Sequence, residues 1–372
     1  MIMQYKSNTS SLKTNSIVEK SSMYVLDTLA QLPPFNYGND LTLSKRAKSK
    51  QYTQSIIKEL LYIKSPLHKY YQQAYYCNTQ LIQNGVTLKG KYCNTRCCNV
   101  CNRIRTAKLM KGYINQLSGK QYFLTLTIPN VKEKELDASI DLMSKNITLI
   151  IRNLREKKKV NSLDGVRKLE ATFNDTITSK SYNTYHPHFH ILVNSMEGAI
   201  LIRDQWLKRY PTASIKAQDI TLANEESLKE LFKYSTKIGY KSVDETEQEC
   251  KKEIKVNIKA LDVIMRVLRG RRLFQPFGNI KKENEDVDGE SLDAQSYNIP
   301  QVTHNKFTWS FYDWVDNKGQ SLSCVEPPKF QIVNTSTKRK EQLNIFVNLW
   351  KPQAPRKKET RLQSMIHLTA LT

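Results

Sequence analysis

Half of the chain's six histidines fall in one pentapeptide, His186-Pro187-His188-Phe189-His190. In a strand, alternate residues emerge on the same face. The three rings would then stand side by side in a segment otherwise made of Pro, Phe, Ile, Leu and Val. Burying imidazoles costs free energy unless each ring nitrogen finds a partner. A divalent cation supplies one, because neutral imidazole is a good ligand for manganese, zinc, nickel and iron. In the preceding strand-like segment, RKLEATF, Glu170 puts a charge into an apolar alternation, and a neighbouring cation is the simplest reason for it. His186, His188, His190 and Glu170 are therefore read as a metal site. The plainer alternative for each is a solvated strand face.

A second set of residues could act on phosphorus. In LKELFKYSTKIGY, Leu228, Leu231, Phe232 and Ile238 form an apolar helical face, with Glu230, Tyr234 and Lys237 on the opposite stripe. A tyrosine can be a covalent nucleophile, and a metal-polarised phosphate would supply the missing electrophilic push. Lys237 can hold that phosphate or lower the phenol's pKa, and Glu230 can act as general base for a second nucleophile such as water. With 19 tyrosines in the chain, such a stripe taken alone would be an ordinary solvated face. Its weight comes from the histidines.

The cysteines are a third set. Four of the seven crowd into nine residues, Cys93 to Cys101. With no apolar leader at the N-terminus and no long apolar stretch, a cytoplasmic protein without a membrane span is expected. Thiols in a reducing compartment point to metal rather than disulfides. The chain of 372 residues has 58 Lys and Arg against 35 Asp and Glu, a net charge of +23. A protein this basic attracts polyanions by releasing their counterions, so nucleic acid is the default partner.

Local patterning supplies the elements that must hold these groups. Alternation predicts strands over 121–130, 166–173, 186–194 and 214–222. Steps of three and four from Leu136 to Leu154 predict an amphipathic helix over 133–158. Further helices are expected around 203–210 and from an Asn224 cap to about Ile238. This order implies an α+β fold, a sheet with helices packed on one side. The division expected is a flexible arm (1–55), a Cys-rich region (56–120), a core (121–280), an acidic linker (281–300) and a C-terminal accessory region (301–372).

In order and spacing, FLTLTIP, HPHFHILV and ELFKYSTK resemble the three motifs of the HUH endonucleases, and most nearly the rolling-circle Rep proteins of small bacterial plasmids. YYCNTQLIQNG, KYCNTRCCNVCNRIR and LRGRRLFQPFGNIKKE are similar to further segments of that family, so the resemblance covers roughly 70–285. It implies an antiparallel sheet with the histidines on a central strand. It also implies that His188 and His190 are paired ligands for manganese or magnesium, completed by Glu170, with His186 nearby. Tyr234 matches the nicking tyrosine and Glu230 the glutamate that activates water at termination; Tyr240 is a distant second tyrosine. Cys77, Cys93, Cys98 and Cys101 match the family's cysteines in a C-x15-C-x4-C-x2-C array suited to structural zinc. Cys97 adds a fifth thiol and leaves open which four bind.

The implied activity is nicking of a single-stranded or hairpin site at a DNA replication origin through a 5′-phosphotyrosine adduct, with a host helicase and polymerase as partners. Two rival readings are an HUH transposase or relaxase, and a non-catalytic zinc-binding DNA repressor.

Overall fold

The computed structural model describes residues 40–117, 119–157, 162–176, 178–233, 252–287, 291–293, 302–323 and 325–336. The chain divides into two units, Met1–Asn334 and Thr335–Thr372, and the elements below all belong to the first.

The chain begins with helices α1 (Asp40–Tyr62) and α2 (His68–Tyr75), the hairpin β1 (Gln80–Gly85) and β2 (Thr87–Gly90), and helix α3 (Asn99–Ile114). The expected arm over 1–55 thus includes much of a helix. Leu43, Ala47, Ile56 and Ile57 of α1 are buried, so burial rather than composition settles its state. Next come β3 (Tyr122–Thr127), α4 (Glu133–Glu156), β4 (Gly165–Asn174), β5 (Thr184–Val193) and α5 (Met196–Arg209). Strand β6 (Ile220–Leu222), α6 (Glu225–Phe232), β7 (Lys252–Val256), α7 (Ile258–Leu268) and β8 (Phe274–Phe277) follow. The last elements are β9 (Ser291–Asp293), β10 (Val302–Ser310), β11 (Asp313–Val315) and β12 (Phe330–Asn334).

The central sheet is antiparallel throughout, in the order β6-β3-β5-β4-β8. β5 is its middle strand although it contains a proline, which normally removes a ladder bond. Tyr185 N–H donates to Val131 O on the β3 side, so the missing donor of Pro187, two residues on, faces that same side. The β3 ladder has already ended there, at Thr127 opposite His188. The proline therefore costs no ladder bond.

One face of this sheet carries Leu124, Leu126, Leu169, Phe189 and Ile191, all buried beneath α4 and α5. The other face carries Lys168, Glu170, His188 and His190, and α6 and α7 pack there. Helices thus cover both faces, not one as the element order suggested. The strand expected over 214–222 forms only at Ile220–Leu222, after a 3-10 turn at Ile215–Ala217. In that turn the Gln218 side chain accepts from Thr127 N–H at 2.8 Å and donates to Thr127 Oγ1 at 3.1 Å, replacing ladder bonds with side-chain ones.

A second sheet, β11-β10-β1-β2-β9, joins the region expected to be a separate C-terminal unit to the Cys-rich region, with Leu81 opposite Phe307. Trp314, Phe307, Leu81, Leu88 and Leu43 share its small core. β7 and β12 pair in parallel. The expected acidic linker is partly embedded: Val287 is fully buried, and Arg105 Nε donates to Glu285 O at 2.9 Å. Helices α3 and α7 are shared between cores. Ala260, Val263 and Leu268 of α7 face the central sheet, while Ile258, Leu261 and Met265 pack with the cysteine region.

Candidate functional site

The ladder register builds the first cluster. Glu170 on β4 lies directly opposite His188 on β5, and His190 is one pleat further along the same face. Glu170 Oε2 is 3.2 Å from His190 Nε2 and 3.6 Å from His188 Nε2. Two ligand atoms held at about 2.1 Å from a shared ion sit roughly 3.0 to 3.5 Å apart, depending on the angle between them, so this donor set fits a divalent cation. The far side of each ring is engaged. His188 Nδ1 is 3.0 Å from His186 O, and His190 Nδ1 is 3.2 Å from Thr125 Oγ1. A Nδ1–H spent on such a partner leaves the Nε2 lone pair free for metal. Burial alone would raise the Glu170 pKa. Hydrogen bonds from both histidines and the Lys168 charge outweigh it and hold the carboxyl well below its usual range.

His186, expected in the ligand set, stands beside it. Its ring stacks on His188 with centroids 5.2 Å apart, but its Nδ1 faces Asn130 Oδ1 at 2.7 Å. The donor atoms that converge are those of Glu170, His188 and His190. Burial and the two neighbouring rings bring the His186 pKa down to about 4.

Lys168 is the residue the sequence reading missed. It is 2% exposed, and its Nζ lies 3.3 Å from Glu170 Oε2. The same ammonium donates to the backbone carbonyls of Glu230 at 2.9 Å and Lys233 at 2.6 Å. One cation therefore ties the carboxylate of the cluster to the C-terminal end of α6, where unpaired carbonyls favour positive charge. The sequence VRKLEATF carries part of the signal, since Lys168 and Glu170, two apart, share a strand face; the lysine's burial comes only with the fold.

The α6 start matches expectation, with Asn224 Oδ1 accepting from Ser227 N–H at 2.8 Å. Glu230, from its last turn, lines a cavity of about 360 Å³ together with Glu170, His188 and His190. Ala260, Ile264 and Leu268 of α7 form an apolar wall, and Tyr70 and Arg269 close one side. Tyr234, Lys237 and Tyr240 lie outside the described residues.

The second cluster unites Cys77, Cys93, Cys98 and Cys101, whose sulfurs lie within 4.8 Å of one another. Cys101 Sγ is 3.6 Å from both Cys77 Sγ and Cys93 Sγ. That is far beyond a disulfide bond, and close to the roughly 3.8 Å edge of a tetrahedron with zinc–sulfur bonds of about 2.3 Å. The donor set fits a closed zinc site. Cys97 is turned away toward Thr95, and burial pushes its thiol up to about 12.

Backbone N–H groups of Cys93 and Thr95 point at sulfurs of the cluster at 3.4 Å. Mutual hydrogen bonding drives the Cys93 pKa down and that of Cys77 up, as expected for thiols sharing protons. Lys50, 1% exposed, donates to Cys77 O and lies 5.1 Å from the Trp309 ring centre. Burial brings its pKa down to about 8 against the pull of the thiolates. Cys250 and Cys324 lie outside the described residues.

Fold and clusters together define an α+β protein with two potential metal centres and a strongly basic chain. Comparison with known proteins supplies the family. The Rep_1 family of replication proteins matches residues 85–318. This range contains every residue discussed above for the Glu–His cleft except Tyr70, and all of the cysteine cluster except Cys77. The chain is 32% identical over 190 residues to a "Protein rep" of Staphylococcus aureus, covering 43% of this chain and 79% of that one. It is 28% identical over 210 residues to a "Protein rep" of Streptococcus pneumoniae serotype 2, covering 52% and 62%. A "Protein rep" of Bacillus amyloliquefaciens is 36% identical over 113 residues, 27% of this chain and 30% of that protein. No solved structure matches significantly. The chain belongs to the Rep_1 family of replication proteins.

Proposed function

We propose that the protein initiates rolling-circle replication of a plasmid by nicking one DNA strand at the origin. Tyr234 is the nucleophile. Its phenol oxygen attacks the scissile phosphorus and the bond from phosphorus to the 3′ oxygen breaks. The 5′ phosphate stays joined to the tyrosine, while the phenol's proton ends on the departing 3′ hydroxyl, which a polymerase can extend. Glu170, His188 and His190 would hold manganese or magnesium, which would supply Lewis-acid polarisation of the phosphate. Lys237 steadies the phosphate, and Glu230 later takes a proton from the water that ends the cycle. The four-cysteine cluster holds structural zinc.

The observation that carries this reading is the convergence of Glu170, His188 and His190 in a cleft that also receives Glu230. Lys168 ties that cluster to Lys233, just past the end of α6 and one residue before Tyr234. The net charge of +23 suits a DNA substrate. The test is a nicking assay on supercoiled plasmid carrying the protein's own origin, with manganese or magnesium, comparing wild type with Tyr234→Phe. A nick and a covalent 5′ adduct made only by wild type support the reading. An adduct still made by the variant shifts the nucleophile to another tyrosine, with Tyr240 next. Binding without any cleavage would sink the enzyme reading in favour of a repressor.

A further inference from the structure

Beyond the cleft, β4 presents its other face to a second and larger cavity. A groove of about 870 Å³ runs between α4 and β8, lined by Arg152, Arg155, Arg167, Arg272, Lys282 and Phe277 among others. Five cations face one carboxylate, Glu156, in this lining. Glu156 is 3.8 Å from Arg152, and both are largely exposed, so that pair neutralises little.

The floor of the groove is Arg167, only 7% exposed. Its guanidinium carbon lies 5.7 Å from the centre of the Phe189 ring, which places it on the opposite side of β4 from Lys168 and Glu170. Nη2 donates to Thr148 Oγ1 at 2.9 Å and to Gln275 Oε1. Nη1 is enclosed and, among the described residues, has no hydrogen-bond partner. A buried guanidinium N–H without an acceptor costs free energy, and an anionic oxygen entering the groove would relieve it. Nothing in the proposed nicking chemistry uses this arginine.

We propose that this groove is a second DNA site, which holds the sugar–phosphate backbone of single-stranded DNA. The five cations can each take a phosphate of a flexible strand, and the half-buried Phe277 adds an aromatic ring to the same lining. A single strand can bend its backbone toward the mostly buried Arg167, which a stiff duplex does poorly. The inference rests on the replication reading only for the identity of the polymer. The site acts by holding the strand, independently of the cleavage step.

The experiment uses the full-length protein and fluorescence anisotropy with labelled strands of about 30 nucleotides, single or paired, over a range of salt. The groove variant is Arg152→Ala/Arg155→Ala/Arg272→Ala. The control is Lys134→Ala/Lys145→Ala/Lys208→Ala, which removes the same charge from exposed positions outside the groove. The groove variant should lose at least about tenfold in single-strand affinity, and its log–log salt slope should flatten by about 2, at roughly 0.7 per phosphate contact. The control should stay within about twofold. Arg167→Met should weaken single-strand binding while leaving the thermal midpoint near wild type, since it also removes the unpaired Nη1.

Equal losses in groove variant and control would overturn the proposal, because only bulk charge would then matter. Loss of duplex binding with single-strand binding intact would overturn it too, by making the occupant a duplex. If wild type cuts no DNA yet the groove variant alone loses single-strand affinity, the groove stands and the tyrosine mechanism falls.

Discussion

The two ligand clusters use opposite designs. Four thiols at Cys77, Cys93, Cys98 and Cys101 close on themselves, three of them buried. They sit in a core shared by α1, α2, α3 and α7. Glu170, His188 and His190 converge from one side only and open into a cavity. A closed tetrahedral set has no position for a substrate, while three ligands on one side leave several. The difference extends to the surrounding charge. Lys50 donates to a backbone carbonyl of the thiol cluster, whereas Lys168 contacts the carboxylate ligand itself. On the proposed reading, the closed cluster would organise the fold and the open one would be held ready by it. Helix α7, with one side on each core, is the element through which the first can position the second.

The sharpest way to break this contrast is to remove one ligand from each side. Cys98→Ser should release bound zinc and lower the thermal midpoint by at least ~10 °C, because structural zinc contributes on the order of 10 kcal/mol to folding in small domains. Elemental analysis and calorimetry on one preparation read both effects. An unchanged midpoint would mean that the cysteine cluster is not structural. His190→Ala should behave oppositely, with nicking reduced by ~100-fold or more and little change in the midpoint.

Lys168→Met sharpens the comparison further. It leaves the buried Glu170 carboxylate without its ammonium, which should cost about 3 kcal/mol in chelated protein. Manganese should restore part of that loss, and a variant indifferent to manganese would place the metal elsewhere. The smallest expected effect is one of pH. His186, with a pKa lowered to about 4, stays neutral in the fold while the unfolded chain takes up a proton near 6.5. Stability of metal-free protein should therefore fall as pH drops from 6.5 toward 4. Denaturant melts of His186→Gln should show a shallower fall over that window.

The parts of the core that were legible in the sequence are those written in local periodicity. Strands β3, β4 and β5 alternate, and α4 carries its apolar stripe from Leu136 to Leu154. The same alternation put His186, His188 and His190 on one face; Glu170 was singled out by its charge in an apolar strand, and the ladder register is what sets it opposite His188. What escaped was set by long-range packing. Helix α7 was passed over although Ile258, Leu261, Ile264, Met265 and Leu268 form an apolar stripe; what that stripe does not tell is that the helix is enclosed between two cores. The pairing of Leu81 with Phe307 spans more than two hundred residues, and no local pattern specifies such a partner. Lys168 was passed over because a lysine in a strand ordinarily reads as exposed. Only the fold shows that its ammonium has three oxygen partners.

The most direct test of the central claim is to treat the purified protein with EDTA, dialyse it, and follow zinc content, folding and origin nicking together. The account predicts that one zinc per chain stays bound and the fold persists, while nicking disappears and returns when manganese or magnesium is added. Loss of zinc, fold and nicking together, or nicking that survives complete removal of exchangeable metal, would contradict it.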